Sequence, residues 1–367
     1  MNSLQRVHEE QAQSPWLDNL RRSWIDNGEL AEWVDRGIRG LTSNPSIFQK
    51  AIEGSPEYDE QFSGLVTAGV SVVDAYWALV TTDIEGALAV MRPVYDSSSG
   101  GDGFVSVEVD PGLARDTEGT TEAARRLHQS IDEPNLMVKI PGTAEGLPSI
   151  QQMISEGRSI NVTLIFSVPR HIEVMEAYIS GLETHVAGGA TDLSSISSVA
   201  SFFISRTETE VDSRLSDIGT PEALALKGQA AVAQGQVAYS AFLDMFSGPR
   251  WDALAALGAR VQRPLWASTS TKDPSYPDTL YVDELIGPDT VNTMPDNTIE
   301  AFLDHGTVSR TVDADPAGAQ AILDAVSALG IDLDDVAGVL EMQGVASFMK
   351  SFDELLASLT VKADSLR

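Results

Sequence analysis

The chain of 367 residues contains no cysteine, which excludes disulfide bonds, thiolate nucleophiles and cysteine-ligated zinc or iron–sulfur centres. It is also poor in basic residues, with 24 Lys and Arg against 54 Asp and Glu and a formal net charge of −30. Because this charge would repel a phosphate backbone or an anionic lipid surface, we expect no nucleic acid and no membrane as a partner. The five histidines are scattered without ligand spacing, so we expect no metal.

Long apolar runs are missing as well. No segment reaches the roughly 18 uninterrupted apolar residues that indicate a membrane span, and the polar first 14 residues have no apolar core of a secretory signal. We therefore expect a cytoplasmic protein. The apolar content of 43% is ample for a packed core, which excludes an intrinsically disordered chain.

Short apolar runs bounded by turn residues alternate with longer stretches of helical spacing between residues 14 and 294. This alternation predicts an α/β fold, a (β/α)8 TIM barrel, with a doubly wound open sheet as the alternative. The eight predicted strands cover residues 14–17, 37–42, 103–109, 135–140, 159–166, 197–204, 263–268 and 290–293. The helical patterns between them cover residues 71–90, 120–131, 148–155, 169–186, 221–246 and 297–303.

Two more helical patterns, at residues 317–329 and 333–359, follow a change of composition after Thr311. They predict additional C-terminal helices. We expect one barrel domain over residues 1–367, in which residues 312–367 form a helical extension packed on the barrel.

Three successive predicted strands carry polar residues on one face. Ser106 and Glu108 alternate with valines in the third strand. Lys139 in the fourth, and Asn161 and Thr163 in the fifth, likewise stand opposite branched aliphatic residues. Since parallel strands covered on both faces are nearly continuously apolar, this pattern indicates a barrel whose interior forms a polar site.

Lys139 is the most informative single residue. It is one of six lysines, and the other five fall in predicted helices or loops. A lysine in an apolar strand is desolvated, which favours the neutral amine that attacks a carbonyl. Glu108 on the neighbouring strand could move protons during Schiff-base formation, through a water held by Thr163. The alternative is a buried ion pair with a purely structural role.

Several motifs carry a family resemblance. The segments GLTSNPS at residues 40–46 and VKIPGTAEG at residues 138–146 resemble the two signatures of transaldolases. The likeness continues through SVEV at 106–109, NVTLIFS at 161–167 and SFFISR at 201–206, and it covers the chain from residue 14 to about residue 295. The C-terminal tail is similar to that of the longer bacterial members.

The resemblance implies catalytic roles. Lys139 resembles the family's Schiff-base lysine and Glu108 its acid/base carboxylate. Asp18 resembles the aspartate that shuttles the proton of the substrate hydroxyl next to the bond being cleaved, although its spacing alone would favour a helix N-cap. Because the lysine serves as the electron sink, the resemblance implies no cofactor.

It also implies binding roles. Asn44, Asn161 and Ser201 resemble the groups that hold the dihydroxyacetone moiety, although asparagines near turns are usually structural.

Arg206 and Ser268 resemble phosphate-binding residues. Shorter family members have an arginine two residues after that serine, where this chain has Ser270, so we expect Lys272 to supply the missing charge.

The activity implied is that of a pentose phosphate pathway transaldolase, a monomer or homodimer that transfers dihydroxyacetone from sedoheptulose 7-phosphate to glyceraldehyde 3-phosphate. Erythrose 4-phosphate and fructose 6-phosphate are the products. The alternative is a fructose 6-phosphate aldolase-like lyase that releases free dihydroxyacetone. A phosphate-sensing barrel would have no use for Lys139 with Glu108, and a deoxyribose-phosphate type aldolase would need a second strand lysine.

Overall fold

Eight parallel strands close into one barrel in chain order in the computed structural model, which describes residues 1–366. The predicted (β/α)8 fold is therefore confirmed, and every predicted strand is present with ends that differ by at most three residues. The strands are β1 Gln13–Leu17, β2 Gly40–Thr42, β3 Phe104–Glu108, β4 Leu136–Pro141, β5 Ile160–Ile165, β6 Ser198–Phe203, β7 Arg263–Ala267 and β8 Thr290–Met294.

Helices surround the barrel and continue beyond it. The helices are α1 Ser3–Gln11, α2 Arg22–Asp26, α3 Glu29–Asp35, α4 Pro45–Ile52, α5 Asp59–Thr67, α6 Val72–Ser97, α7 Thr117–Ser130, α8 Gly146–Ser155, α9 Val168–Ala187, α10 Ser205–Ile218, α11 Pro221–Leu224, α12 Ala230–Met245, α13 Gly248–Ala255, α14 Leu280–Asp283, α15 Asp296–His305, α16 Pro316–Ala328 and α17 Leu333–Ser365. Within residues 1–366, none has the length and apolarity needed to span a membrane.

The predicted single helix at residues 221–246 is wrong. The chain forms the short α11, a turn and then α12, and Gly228 in the turn has a φ of +76°. A Cβ at Gly228 would lie 2.9 Å from the ring of Tyr276, so the close approach of this ring also requires glycine. The helix predicted at residues 71–90 is too short, because α6 continues through Pro93 to Ser97.

The lower half of the barrel interior is filled with apolar side chains. Trp16, Phe104 and Leu265 are fully or almost fully buried there. Gly40 on β2 makes room for the indole, since a Cβ would lie 2.3 Å from the Trp16 ring. Asp102 closes the end below and accepts hydrogen bonds from Ser14, Trp16, Arg39 and Arg263. Polar side chains of the strands therefore gather at their carboxyl ends.

The C-terminal helices pack against different sides of the barrel. α16 lies on α12, and α17 runs along α4, α6 and α10. Ser351 of α17 is 2.7 Å from Ser46 of α4, Oγ to Oγ, and Phe352 packs edge-on against Tyr76 with ring centroids 5.2 Å apart. These contacts bring α17 to the carboxyl ends of the strands.

A buried histidine predicts acid sensitivity of the fold. His171 in α9 is fully buried, packs against Phe202, and has no hydrogen-bond partner on either ring nitrogen among the described residues. Burial lowers its pKa to about 4 from 6.5. This histidine therefore becomes protonated near pH 6.5 in the unfolded chain but only near pH 4 in the folded chain. As the pH falls from 6.5 toward 4, proton binding favours the unfolded chain, and the free energy of unfolding decreases.

We expect His171→Phe to lose less free energy of unfolding than the parent between about pH 7 and about pH 5 in urea titrations. The exposed His305, replaced by Gln, serves as the control, because its pKa is raised by Asp278 and Asp304 and its effect has the opposite sign. Identical acid sensitivity of the parent and His171→Phe would contradict this assignment.

Candidate active site

A cavity of about 120 Å³ opens at the carboxyl ends of the strands. Seven of the ten residues predicted to form the site line it, and they come from segments far apart in the sequence. These seven are Asp18, Asn44, Lys139, Thr163, Ser201, Arg206 and Ser268. The other three predicted residues, Glu108, Asn161 and Lys272, lie beside or beneath this cavity.

Lys139 and Glu108 form a buried ion pair. They are register partners on β4 and β3, and Lys139 Nζ lies 3.1 Å from Glu108 Oε2. Nζ also donates a hydrogen bond of 3.0 Å to the carbonyl oxygen of Ser43. The side chain lines the cavity although only 4% of the residue is exposed. An ion pair with a purely structural role would not need to face the cavity.

Glu108 lies behind the lysine and is 5% exposed. Burial raises the pKa of its carboxyl, and the charge of Lys139 opposes this rise. Thr163 faces the cavity, and its Oγ1 has no hydrogen-bond partner within residues 1–366. The site therefore combines an amine, a carboxyl suited to holding a proton, and a free hydroxyl.

Asp18 follows β1 and is held by a chain of hydroxyl groups. Thr42 donates to Asp18 Oδ1 over 2.7 Å, and the hydroxyl oxygens of Thr42 and Thr293 are 2.7 Å apart. Burial raises the pKa of the Asp18 carboxyl, while the Thr42 hydrogen bond and the charge of Lys139 lower it. The N-cap alternative is wrong, because Arg21 occupies the N-cap position of α2.

The two asparagines occupy different depths. Asn44 caps α4 by accepting from the Ile47 N–H over 3.0 Å and still lines the cavity. Asn161 is fully buried under the cavity floor. It donates to Ser106 Oγ over 3.0 Å and accepts from Ser201 Oγ over 2.7 Å. Asn161 therefore orients Ser201, which does face the cavity.

Arg206 stands at the cavity wall at the start of α10. Its guanidinium lies next to two aromatic rings, 5.1 Å from the Phe203 centroid and 5.8 Å from that of Phe348. Burial lowers its pKa, which the charges of Asp18 and Glu108 oppose. In the described part of the chain no carboxylate pairs with it at salt-bridge distance.

Ser268 lies next to the start of α10 in a left-handed conformation, with φ of +56°. Its Oγ is 2.8 Å from that of Ser205. The strained backbone turns this hydroxyl toward the first residue of α10, beside Arg206.

Lys272 is placed differently from Arg206. It lines an adjacent cavity of about 280 Å³, and its Nζ donates to Ser270 Oγ over 2.6 Å. Asp212 and Tyr276, joined by a hydrogen bond of 2.5 Å, line the same cavity. Burial lowers the pKa of Lys272, and so does the charge of Arg206, so the two cations are close enough to interact. Lys272 stands near the first cavity without lining it.

Six cavity residues were not predicted as site residues: Thr42, Ser46, Phe203, Ala267, Thr293 and Phe348. Thr42 lies within the GLTSNPS motif and Thr293 follows the alternation of its strand, so both carried a usable signal. Phe348 carried none, because it belongs to a helix that follows the barrel in sequence. Within residues 1–366 there is no cluster of three or more His, Asp or Glu side chains that could hold a metal ion.

Comparison with known proteins identifies the family of this chain. Residues 15–359 match the family model described as Transaldolase/Fructose-6-phosphate aldolase. A transaldolase of Acidothermus cellulolyticus is 52% identical over 356 residues, which cover 96% of this chain and 95% of that protein. Transaldolase 1 of Streptomyces coelicolor is 51% identical over 365 residues, covering 99% and 95% respectively. The chain belongs to the transaldolase/fructose-6-phosphate aldolase family, as its motifs predicted.

The hydrogen bond from Thr42 predicts a shift in the pH profile of activity. Thr42→Val removes the donor that lowers the pKa of Asp18, so the carboxyl should protonate at higher pH. If Asp18 accepts a proton during turnover, the acidic limb of kcat/KM should move upward by roughly one pH unit. Thr42→Ser, which keeps the hydroxyl, is the matched control. An unchanged limb in Thr42→Val, or an equal shift in Thr42→Ser, would contradict the role of this contact.

Proposed function

We propose that this enzyme is a transaldolase that transfers a dihydroxyacetone unit from sedoheptulose 7-phosphate to glyceraldehyde 3-phosphate, giving erythrose 4-phosphate and fructose 6-phosphate. The observation that carries the proposal is the Lys139–Glu108 pair, 3.1 Å apart, at a cavity whose wall holds Arg206, a cation that forms no salt bridge within residues 1–366. The relatives reported above support the same activity.

Schiff-base formation begins at Lys139. After its proton passes to Glu108, the neutral amine adds to the ketose carbonyl and forms a carbinolamine. Glu108 then gives a proton to the departing hydroxyl, which leaves as water. The buried position of Glu108 suits this role, because its raised pKa lets it hold a proton closer to neutral pH than an exposed glutamate does. Thr163, whose hydroxyl has no hydrogen-bond partner among the described residues, would hold the water.

Cleavage of the carbon–carbon bond uses the iminium as the electron sink. Asp18 takes the proton of the hydroxyl on the carbon beyond the bond, the bond electrons move into the iminium, and an aldose phosphate leaves. The remaining three-carbon enamine stays covalently attached to Lys139. It then adds to the aldehyde of the acceptor while Asp18 returns the proton, and hydrolysis releases the new ketose.

The polar floor of the cavity suits the retained three-carbon unit. Ser201 and Asn44 face the space next to Lys139, and Asn161 holds the Ser201 hydroxyl from below. Hydroxyl groups of dihydroxyacetone would find donors and acceptors here. A retained unit bound in this way stays in place while the aldose leaves and the acceptor enters.

The substrate phosphate is assigned to Arg206 and Ser268. The Arg206 guanidinium, which pairs with no carboxylate in the described part of the chain, can form two charge-assisted hydrogen bonds to a phosphate. Lys272 would add charge from the neighbouring cavity without direct contact in the substrate-free protein.

The lyase alternative is not favoured. The relatives that match almost the whole chain at about half identity are named transaldolases. The two activities differ in the fate of the enamine, which a lyase protonates and releases as dihydroxyacetone. An assay with fructose 6-phosphate and no aldehyde acceptor distinguishes the two activities, because only a lyase would release dihydroxyacetone.

We place the reaction in the pentose phosphate pathway and the protein in the cytoplasm, as a monomer or homodimer. The acidic composition, with a net charge of −30, supports the expectation that nucleic acids are not partners.

Borohydride trapping tests the mechanism. With fructose 6-phosphate and sodium borohydride, we expect a dihydroxyacetone-derived mass on Lys139 in peptide mapping, and none in Lys139→Met. Lys350→Met, at an exposed lysine of α17, is the matched control. Glu108→Gln should still be labelled, but about 100-fold more slowly, the usual scale for loss of a positioned proton-transfer group. Label on another lysine, or on none, would refute the Schiff-base route.

The phosphate assignment predicts unequal effects of two substitutions. Arg206→Ala should raise KM for glyceraldehyde 3-phosphate strongly, and Lys272→Ala should raise it weakly, because only Arg206 lines the cavity. Both substitutions should change KM for unphosphorylated glyceraldehyde much less than they change KM for glyceraldehyde 3-phosphate. Equal penalties on both acceptors would mean that Arg206 stabilises the barrel and does not bind phosphate.

A further inference from the structure

One wall of the catalytic cavity comes from outside the barrel. Phe348 of α17 lines the cavity beside Arg206, although the two residues are 142 positions apart in the sequence. The residue is 4% exposed, and its ring faces the guanidinium across 5.8 Å. The other ring on this guanidinium, that of Phe203, belongs to β6. The C-terminal helix thus supplies one of the two aromatic rings that contact this guanidinium.

We propose that Phe348 is a positioning residue that holds the Arg206 guanidinium toward the substrate phosphate, so that the C-terminal helix helps to determine the preference for phosphorylated substrates. The inference rests on the proposed function, in which Arg206 binds phosphate. It assigns to α17 a part in substrate selection in addition to its packing on the barrel.

The rings help to position this side chain because no salt bridge holds it within the described residues. The charges of Asp18 and Glu108 act on the guanidinium, and the rings of Phe203 and Phe348 lie next to it. A free arginine side chain samples many rotamers, and fixing it on binding opposes affinity. Two aromatic faces attract the cation and restrict its position before the substrate arrives. They also keep water from one side of the guanidinium, which strengthens its interaction with an anion.

The backbone of α17 also approaches this arginine closely. A Cβ at Gly344, one turn before Phe348, would lie 3.4 Å from Arg206 Nη1 and 2.9 Å from Leu164 Cδ2. A side chain at residue 344 would therefore clash with Leu164 and would already touch the guanidinium with its first carbon. Glycine here lets the helix bring the Phe348 ring into contact with the site.

The helix is anchored independently of Phe348. Ser351 contacts Ser46, Phe352 packs on Tyr76, and Leu355 is 1% exposed. Substitution of Phe348 should therefore leave α17 in place. Two kinds of substitution on α17 can therefore be compared: one that removes only packing, and one that also removes the contact with Arg206.

The test compares Phe348→Ala, Phe348→Leu and Phe348→Tyr with the control Leu355→Ala, which removes an apolar side chain from the same buried face of α17. Two quantities are measured: the ratio of KM for glyceraldehyde to KM for glyceraldehyde 3-phosphate, and the inhibition constant of inorganic phosphate. We expect Phe348→Ala to reduce this ratio, and to weaken phosphate inhibition, by about 3- to 30-fold, the range of one cation–π contact. Phe348→Leu should resemble Phe348→Ala, Phe348→Tyr should restore most of both quantities, and Leu355→Ala should change neither.

Coupling to the arginine completes the test. In an Arg206→Ala background, Phe348→Ala should cause no further change in either quantity. The inference is overturned if Phe348→Ala lowers kcat for both acceptors equally with an unchanged KM ratio, or if Leu355→Ala has the same effect. If Arg206→Ala itself leaves the ratio unchanged, the phosphate role in the proposed function fails and the inference fails with it. Failure at Phe348 alone leaves the proposed function intact.

Discussion

The buried ion pair between Lys139 and Glu108 is the contact around which the site is arranged. Two opposite charges on adjacent strands of a closed barrel are taken out of water together, and loss of either partner would leave the other uncompensated, at a cost of about 3–5 kcal/mol. The Ser43 carbonyl provides a further acceptor for the ammonium. The arrangement keeps a nucleophile and its proton acceptor in contact before any substrate binds.

The rest of the barrel interior changes from apolar to polar along the barrel axis. Apolar side chains such as Trp16 fill the lower half, and a hydrogen-bonded layer through Asn161 and Ser201 separates them from the open cavity. Asp18 and Arg206 stand above this layer, where their charges influence the ionisation of Glu108. The closed sheet thus supplies a rigid support and positions Glu108, Asp18 and Arg206 around one small cavity.

Much of this arrangement could be predicted from local sequence. The alternation of polar and branched residues identified the strands that face the site and placed Lys139 beside Glu108, because neighbours in a parallel sheet share a face. The depth of Asn161 could not be predicted, since alternation gives the face of a strand and not the layer within a barrel. The separate cavity of Lys272 depends on the path of a loop. Phe348 reaches the site only through helix packing over a long sequence separation, and the break at Gly228 depends on the Tyr276 ring.

The most direct measurement is a crystal structure of the enzyme reduced with borohydride in the presence of fructose 6-phosphate. We expect continuous density from Lys139 Nζ to the former carbonyl carbon. We also expect Asp18 within hydrogen-bond distance of the hydroxyl beyond the scissile bond and, where the whole sugar is trapped, the phosphate against Arg206. A sugar bound without a covalent link to Lys139 would contradict the Schiff-base mechanism, and a phosphate held away from Arg206 would contradict the phosphate assignment.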